Sequence, residues 1–145
     1  MKSLITVLLF ISSYLAVISQ TSPVSWSFAL ESTANANYKV TATATIAEGW
    51  SMYSQHTDPD GPVPTQVVFE NATSTAQNAT EQTTVTKVYS ELFELEVQKF
   101  TKEAIFFQVV TPVEGAVAVK GYVRYMCCDD TKCLPPTEAH FQLPL

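Results

Sequence analysis

Residues 37–47 read Asn-Tyr-Lys-Val-Thr-Ala-Thr-Ala-Thr-Ile-Ala, and their alternation decides the fold class. Tyr38, Val40, Ala42, Ala44 and Ile46 fall on one side, with threonines on the other. A period of two sustained this long marks a half-buried β-strand, and β-branched threonine packs well on its pleated surface. The stretch before it, residues 24–31, repeats the pattern with Val24, Trp26, Phe28 and Leu30 on one face. Working outward, Glu48-Gly49 marks a turn and Trp50-Ser51-Met52-Tyr53 reads as a short strand. Residues 57–64 hold three prolines and a glycine, a rigid loop, because proline has no N–H to give a central strand. Residues 65–70 are the next strand, and the polar stretch 71–84 reads as loop plus a weak edge strand. Residues 91–99 fit helix or strand by pattern, and the β surroundings favour strand. Residues 103–110, 116–125 and 138–143 complete the set. Seven to nine short strands with turn signals between them predict an all-β, immunoglobulin-like sandwich of two sheets. Such a scaffold implies no activity by itself.

The 145 residues suffice for one domain. The chain opens Met1-Lys2-Ser3 and continues as a nearly unbroken apolar run from Leu4 to Ile18, the pattern of a secretory leader. Val17 and Ser19 are small enough for the processing positions, so cleavage is expected after Ser19, with a mature domain over residues 20–145. The run falls short of the ~20 apolar residues of a comfortable membrane span and contains Ser12, Ser13 and Tyr14. No stable membrane insertion of the mature chain is therefore expected. A net charge of −6 with no basic patch argues against a nucleic-acid partner. Asn71-Ala72-Thr73 and Asn78-Ala79-Thr80 match the N-glycosylation pattern, which has meaning only in a eukaryotic secreted protein.

The three cysteines, Cys127, Cys128 and Cys133, all fall within seven residues. Export places them where disulfides persist, and an odd count leaves one thiol over. Asp129-Asp130-Thr131-Lys132 is turn chemistry, so Cys133 can be reached from Cys128 or from Cys127 across a tight reversal. A bond closing so small a loop constrains little of the unfolded chain, about 2 kcal/mol against nearly 5 for a loop of about 100 residues. It suits a disulfide that is opened and closed by exchange with a partner thiolate. A plain structural staple is the simplest competitor. Zinc or copper(I) on Cys127, Cys128 and Cys133 with His140 or His56 fits less well, for want of a C-x₂-C pairing. A cysteine hydrolase using Cys128 with His56 or His140 has still less pattern behind it.

The stretch Tyr125-Met126-Cys127-Cys128-Asp129-Asp130-Thr131-Lys132-Cys133-Leu134-Pro135-Pro136-Thr137-Glu138 resembles the N-terminal periplasmic domain of the thiol:disulfide interchange protein family DsbD. Two cysteines flanking a short turn, with Pro-Pro after the second, carry the likeness. Gly49-Trp50-Ser51-Met52-Tyr53-Ser54-Gln55 followed by Gly61-Pro62-Val63-Pro64-Thr65 adds a second block, similar to versions from Bacteroidota-type bacteria. The likeness covers nearly all of residues 24–143. It implies an immunoglobulin-like domain whose cysteine pair takes electrons from a membrane-embedded thiol–disulfide reductase component. The pair then passes them to periplasmic thioredoxin-like or disulfide isomerase proteins, including those of cytochrome c maturation. It favours Cys128 over Cys127 as the partner of Cys133. It also implies an aromatic cap over the disulfide, placed by position at residues 89–93 with Tyr89 and Phe93, and a site lined by Tyr53 and Tyr125. No cofactor is expected, nor turnover without partners. Asp129 and Asp130 disfavour a thiolate, with Lys132 the only nearby cation to offset them. The competing class is an exported binding module whose disulfide only pins a loop.

Overall fold

The computed structural model describes residues 22–145. The leader expected over residues 1–19 lies outside them. The described chain is an immunoglobulin-like β-sandwich of twelve strands, and its only helical turn there is the 3-10 segment Ala34–Ala36. The strands are β1 (Val24–Ser32), β2 (Tyr38–Ile46), β3 (Ser51–Tyr53), β4 (Gln66–Phe69), β5 (Ala72–Thr73), β6 (Thr80–Glu81), β7 (Thr86–Ser90), β8 (Leu95–Phe100), β9 (Glu103–Pro112), β10 (Ala118–Tyr125), β11 (Cys127–Cys128) and β12 (Thr137–Pro144). Against the seven to nine expected, the weak edge strand foreseen in 71–84 is two short strands, β5 and β6, and β7 and β11 are additional.

The alternating segments that decide the fold class become its first layer. β1 lies antiparallel to β2 with Trp26 opposite Ala44 and Phe28 opposite Ala42, so each large ring has a small neighbour across the ladder. β2 then pairs with β9, which also carries β5 and β6. The rest of the sandwich is divided into two hydrogen-bonded sheets, β12-β10-β4 and β11-β3-β8-β7. β10 passes through Met126 directly into β11, so one continuous stretch of chain serves both.

Two clusters fill the interior. One gathers Ala44, Ile46, Met52, Phe100, Phe106, Tyr125 and Cys127, drawn from all three sheets. The other joins Val40 and Val110 to Val119 and Phe141. Each fully buried side chain of this size contributes roughly 1.5–3 kcal/mol relative to leaving it in water.

The sequence reading differs from the structure between residues 86 and 99. Residues 91–94 form a turn, with Glu94 at φ 58°, and the strand begins only at Leu95. Ahead of the turn lies the unanticipated β7, which pairs with β8 as a hairpin, Val88 against Val97. β7 is almost wholly exposed and shows no apolar alternation. Backbone pairing holds it at the sheet edge, and no side-chain pattern records that.

Candidate functional site

The register of two short strands decides where each cysteine points. β11 pairs antiparallel with β3, Cys127 opposite Met52 and Cys128 opposite Ser51. Residues directly opposite share a face and successive residues alternate. Cys127 therefore follows Met52 into the interior, packed with Phe100 and Tyr125. Cys128 follows Ser51 and Tyr53 to the outer face. There it clusters with Tyr53 and Val97, and Phe93, Leu95, Met126 and Cys133 pack around it.

Cys128 is bonded to Cys133, and Cys127 is a free, buried thiol. The bonded residues face each other as an isolated antiparallel bridge with Cα atoms 4.0 Å apart, a little below the usual lower bound of about 4.4 Å. The turn between them is tied from within. Asp129 N–H donates to the Lys132 carbonyl at 2.9 Å. Its Oδ1 accepts from Thr131 N–H at 2.8 Å, Thr131 Oγ1 at 3.0 Å and Lys132 N–H at 2.8 Å. The backbone N–H groups of Thr131 and Lys132 hold the Asp129 carboxyl below its ordinary range. Leu134 N–H donates to the Cys127 carbonyl at 2.9 Å and fixes the far end.

Cys128 is only 2% exposed, whereas Cys133 is half-buried. Beside the bond lies a cleft of about 340 Å³, lined by Ser51, Cys128, Asp129 and Asp130 together with residues of the β7–β8 hairpin, Lys99 among them. The hairpin presents Tyr89, 63% exposed, and Leu92, 47% exposed. Burial pushes the Cys127 thiol up from its ordinary 9.0, and burial together with the neighbouring Cys127 pushes Tyr53 up to about 12.

The residues singled out in the sequence are placed as follows. Tyr53 is buried against Cys128, and Phe93 meets it edge-on with ring centroids 6.1 Å apart. Tyr89 stands in the cleft wall. The segment expected as a cap is thus the end of β7 plus its turn, and of its two aromatics only Phe93 packs on the disulfide cluster. Tyr125 does not line the site. Strand alternation in β10 turns it inward with Val119, Gly121 and Val123, and its ring lies 5.3 Å from that of Trp26. His140 Nε2 lies 3.2 Å from a Glu138 carboxylate oxygen on β12, and among the described residues no group of three or more His, Cys, Asp or Glu is gathered to hold a metal. No helix among them is long and apolar enough to cross a membrane.

Several site residues escaped the sequence reading. Val97, Leu95 and Lys99 alternate visibly in residues 91–99, but that they share a face with Tyr53 follows only from the β3–β8 register, Tyr53 opposite Lys99. The Ser54-Gln55 step proves to be a tether for the end of β3. The Glu81 carboxylate accepts from Ser54 Oγ at 2.9 Å and from Gln55 N–H at 2.7 Å, and Gln55 Nε2 donates to the Ala79 carbonyl at 2.9 Å.

Comparison with known proteins agrees with this geometry. The N-terminal periplasmic domain of ScsB from Proteus mirabilis superposes with a TM-score of 0.66 at 14% identity, over 88% of this chain and 48% of that one. The chain thus spans about half the length of that domain. The N-terminal domain of Neisseria meningitidis DsbD, solved in its reduced form, superposes with a TM-score of 0.50 at 16% identity, over 81% of this chain and 84% of that one. Identities this low speak for the shared fold alone. No curated protein matches the sequence. Residues 19–145 match the family described as thiol:disulfide interchange protein DsbD, N-terminal. The sandwich, the cysteine pair at bonding distance and that match together make the chain a member of the DsbD N-terminal family of thiol–disulfide interchange domains.

Proposed function

We propose that Cys128 and Cys133 are a reversible redox pair in a periplasmic relay domain, residues 20–145 after removal of the leader. The pair takes reducing equivalents from a membrane-embedded thiol–disulfide reductase component and hands them to oxidised periplasmic proteins of the thioredoxin-like or disulfide isomerase kind. One observation carries this reading. The bond closes a separation of five residues on the outer face of its sheet, beside an open cleft, with the main core on the other face. At that separation it stabilises the fold by only about 2 kcal/mol, so opening it leaves the core standing.

The chemistry follows from access. Cys133 is the more exposed residue of the pair, so a partner thiolate attacks its sulfur, forming a mixed disulfide and expelling the Cys128 thiolate. The partner's second thiolate then attacks the mixed disulfide and releases Cys133. The pair has gained two electrons and two protons, and the partner leaves oxidised. On delivery the order reverses: Cys133 attacks the acceptor's disulfide and Cys128 resolves the intermediate. Tyr89 and Leu92 offer the docking partner an apolar wall, while Phe93 over Tyr53 shields the bond between encounters. Nothing in the turn supplies a strong activating cation, so rate comes from docking and from the partner's own thiolate.

The test is the reduction potential in glutathione buffers. A value well above about −300 mV supports the relay. The near-complete burial of Cys128 favours a second reading, a structural staple, and a bond that stays closed under strong reductant would establish that instead.

A further inference from the structure

Asp129 does more in this turn than add negative charge. It is half-buried, and its single Oδ1 gathers two backbone N–H groups and one hydroxyl, all at 2.8–3.0 Å, from the two residues that precede Cys133. Its own N–H closes the same turn on the Lys132 carbonyl. None of these bonds involves sulfur, so none is broken when the disulfide opens. Asp130, next in sequence, takes no part in the set.

We propose that Asp129 is a positioning residue for the exchange reaction, holding the reduced Cys128 and Cys133 thiols within bonding reach and thereby setting the reduction potential of the pair. This rests on the relay reading above. The reaction concerned is balanced by glutathione: two thiols lose two electrons and two protons as the disulfide forms, and one glutathione disulfide becomes two glutathione thiols. Its equilibrium constant measures how concentrated each thiol is at the other. A turn that persists in the reduced state keeps that local concentration high. A turn that loosens lets the two thiols drift apart and disfavours closure. Alanine at position 129 removes the acceptor for all three bonds. Asparagine keeps a side-chain oxygen at the same place and is itself a good turn former.

The experiment compares the wild-type chain with Asp129→Ala, Asp129→Asn and Asp130→Ala, each equilibrated in glutathione buffers, with thermal melts to show that all are folded. Asp129→Ala is expected to lower the equilibrium constant for disulfide formation about tenfold, a rise in potential of about 30 mV for a two-electron couple. Asp129→Asn is expected to restore most of that shift, and Asp130→Ala to leave the potential at the wild-type value. Equal potentials for wild type and Asp129→Ala, or equal shifts from Asp129→Ala and Asp130→Ala, overturn the positioning role while leaving the relay intact. A wild-type bond that never equilibrates with glutathione overturns the relay itself, and this inference with it.

Discussion

The short sheet β11-β3-β8-β7 has two faces made from alternate residues of the same strands, and they do different work. Met52, Phe100 and Cys127 point inward and close the main core. Ser51, Tyr53, Val97 and Cys128 point outward and build the floor of the cysteine cleft. Two adjacent cysteines therefore have opposite fates, one a buried apolar thiol and one half of a disulfide. In the proposed relay, a one-residue step along a strand separates stability from chemistry. Substitutions on one face should move the melting temperature and those on the other the exchange rate.

The largest expected effect is on the outer face. Cys128→Ala and Cys133→Ala each abolish electron transfer to an oxidised thioredoxin-like acceptor and lower stability by about 2 kcal/mol at most. Cys128→Ala, which keeps the exposed sulfur, should accumulate a mixed disulfide visible by mass spectrometry, and Cys133→Ala should not. Comparable trapping by both variants would show that exposure does not choose the attacking sulfur.

On the inner face, Phe100→Ala should cost about 3–5 kcal/mol by denaturant unfolding, the range for truncating a fully buried ring. The potential of the molecules that remain folded should not change. A shifted potential would mean that the two faces are mechanically coupled.

Cys127→Ser places a hydroxyl in an apolar site and should cost about 1–3 kcal/mol if that group finds no partner, again with the potential unchanged. The same residue carries a pH signature. Its thiol is raised in the folded state, so its contribution is fully present below the ordinary thiol value of 9.0 and is lost as pH rises above it. Tyr53, raised from 10.0 to about 12, loses its own contribution over that later interval. Unfolding midpoints should begin to fall as pH rises above 9.0, and Cys127→Ala should delay that onset to above 10.0.

The smallest effect is at the hairpin. Tyr89→Ala should leave stability within about 0.5 kcal/mol, as for other exposed positions. It should weaken docking by about 1 kcal/mol, a fivefold drop in kcat/KM with the acceptor and none with glutathione. An equal drop with both would remove Tyr89 from the docking surface.

Legibility in the sequence followed the same division. β1 and β2 announce themselves because one face is covered, wholly or in part, over most of their length, and that writes a period of two. β7 leaves no such mark, since nothing covers it, and β11 is too short to have a period at all. The cysteine turn was legible from its residues, and the family likeness favoured Cys128 as the partner of Cys133. What no local pattern supplies is the β11–β3 register that sends Cys127 inward, or the β10 alternation that takes Tyr125 out of the site. The first depends on a strand more than 50 residues away in sequence, as Met52 is from Cys127, and the second shows in the packing of Tyr125 on the distant Trp26.

The five-residue separation of Cys128 and Cys133 bears finally on how the protein is made. In a framework stapled across distant strands, a nascent chain must meet an oxidant, and find the correct pairing, before it can mature. Here every long strand pairing is complete without sulfur, and the spare thiol is sequestered on the far side of the sheet. The strand pairings therefore ask for no oxidant, and the bond can close after the chain has reached its shape.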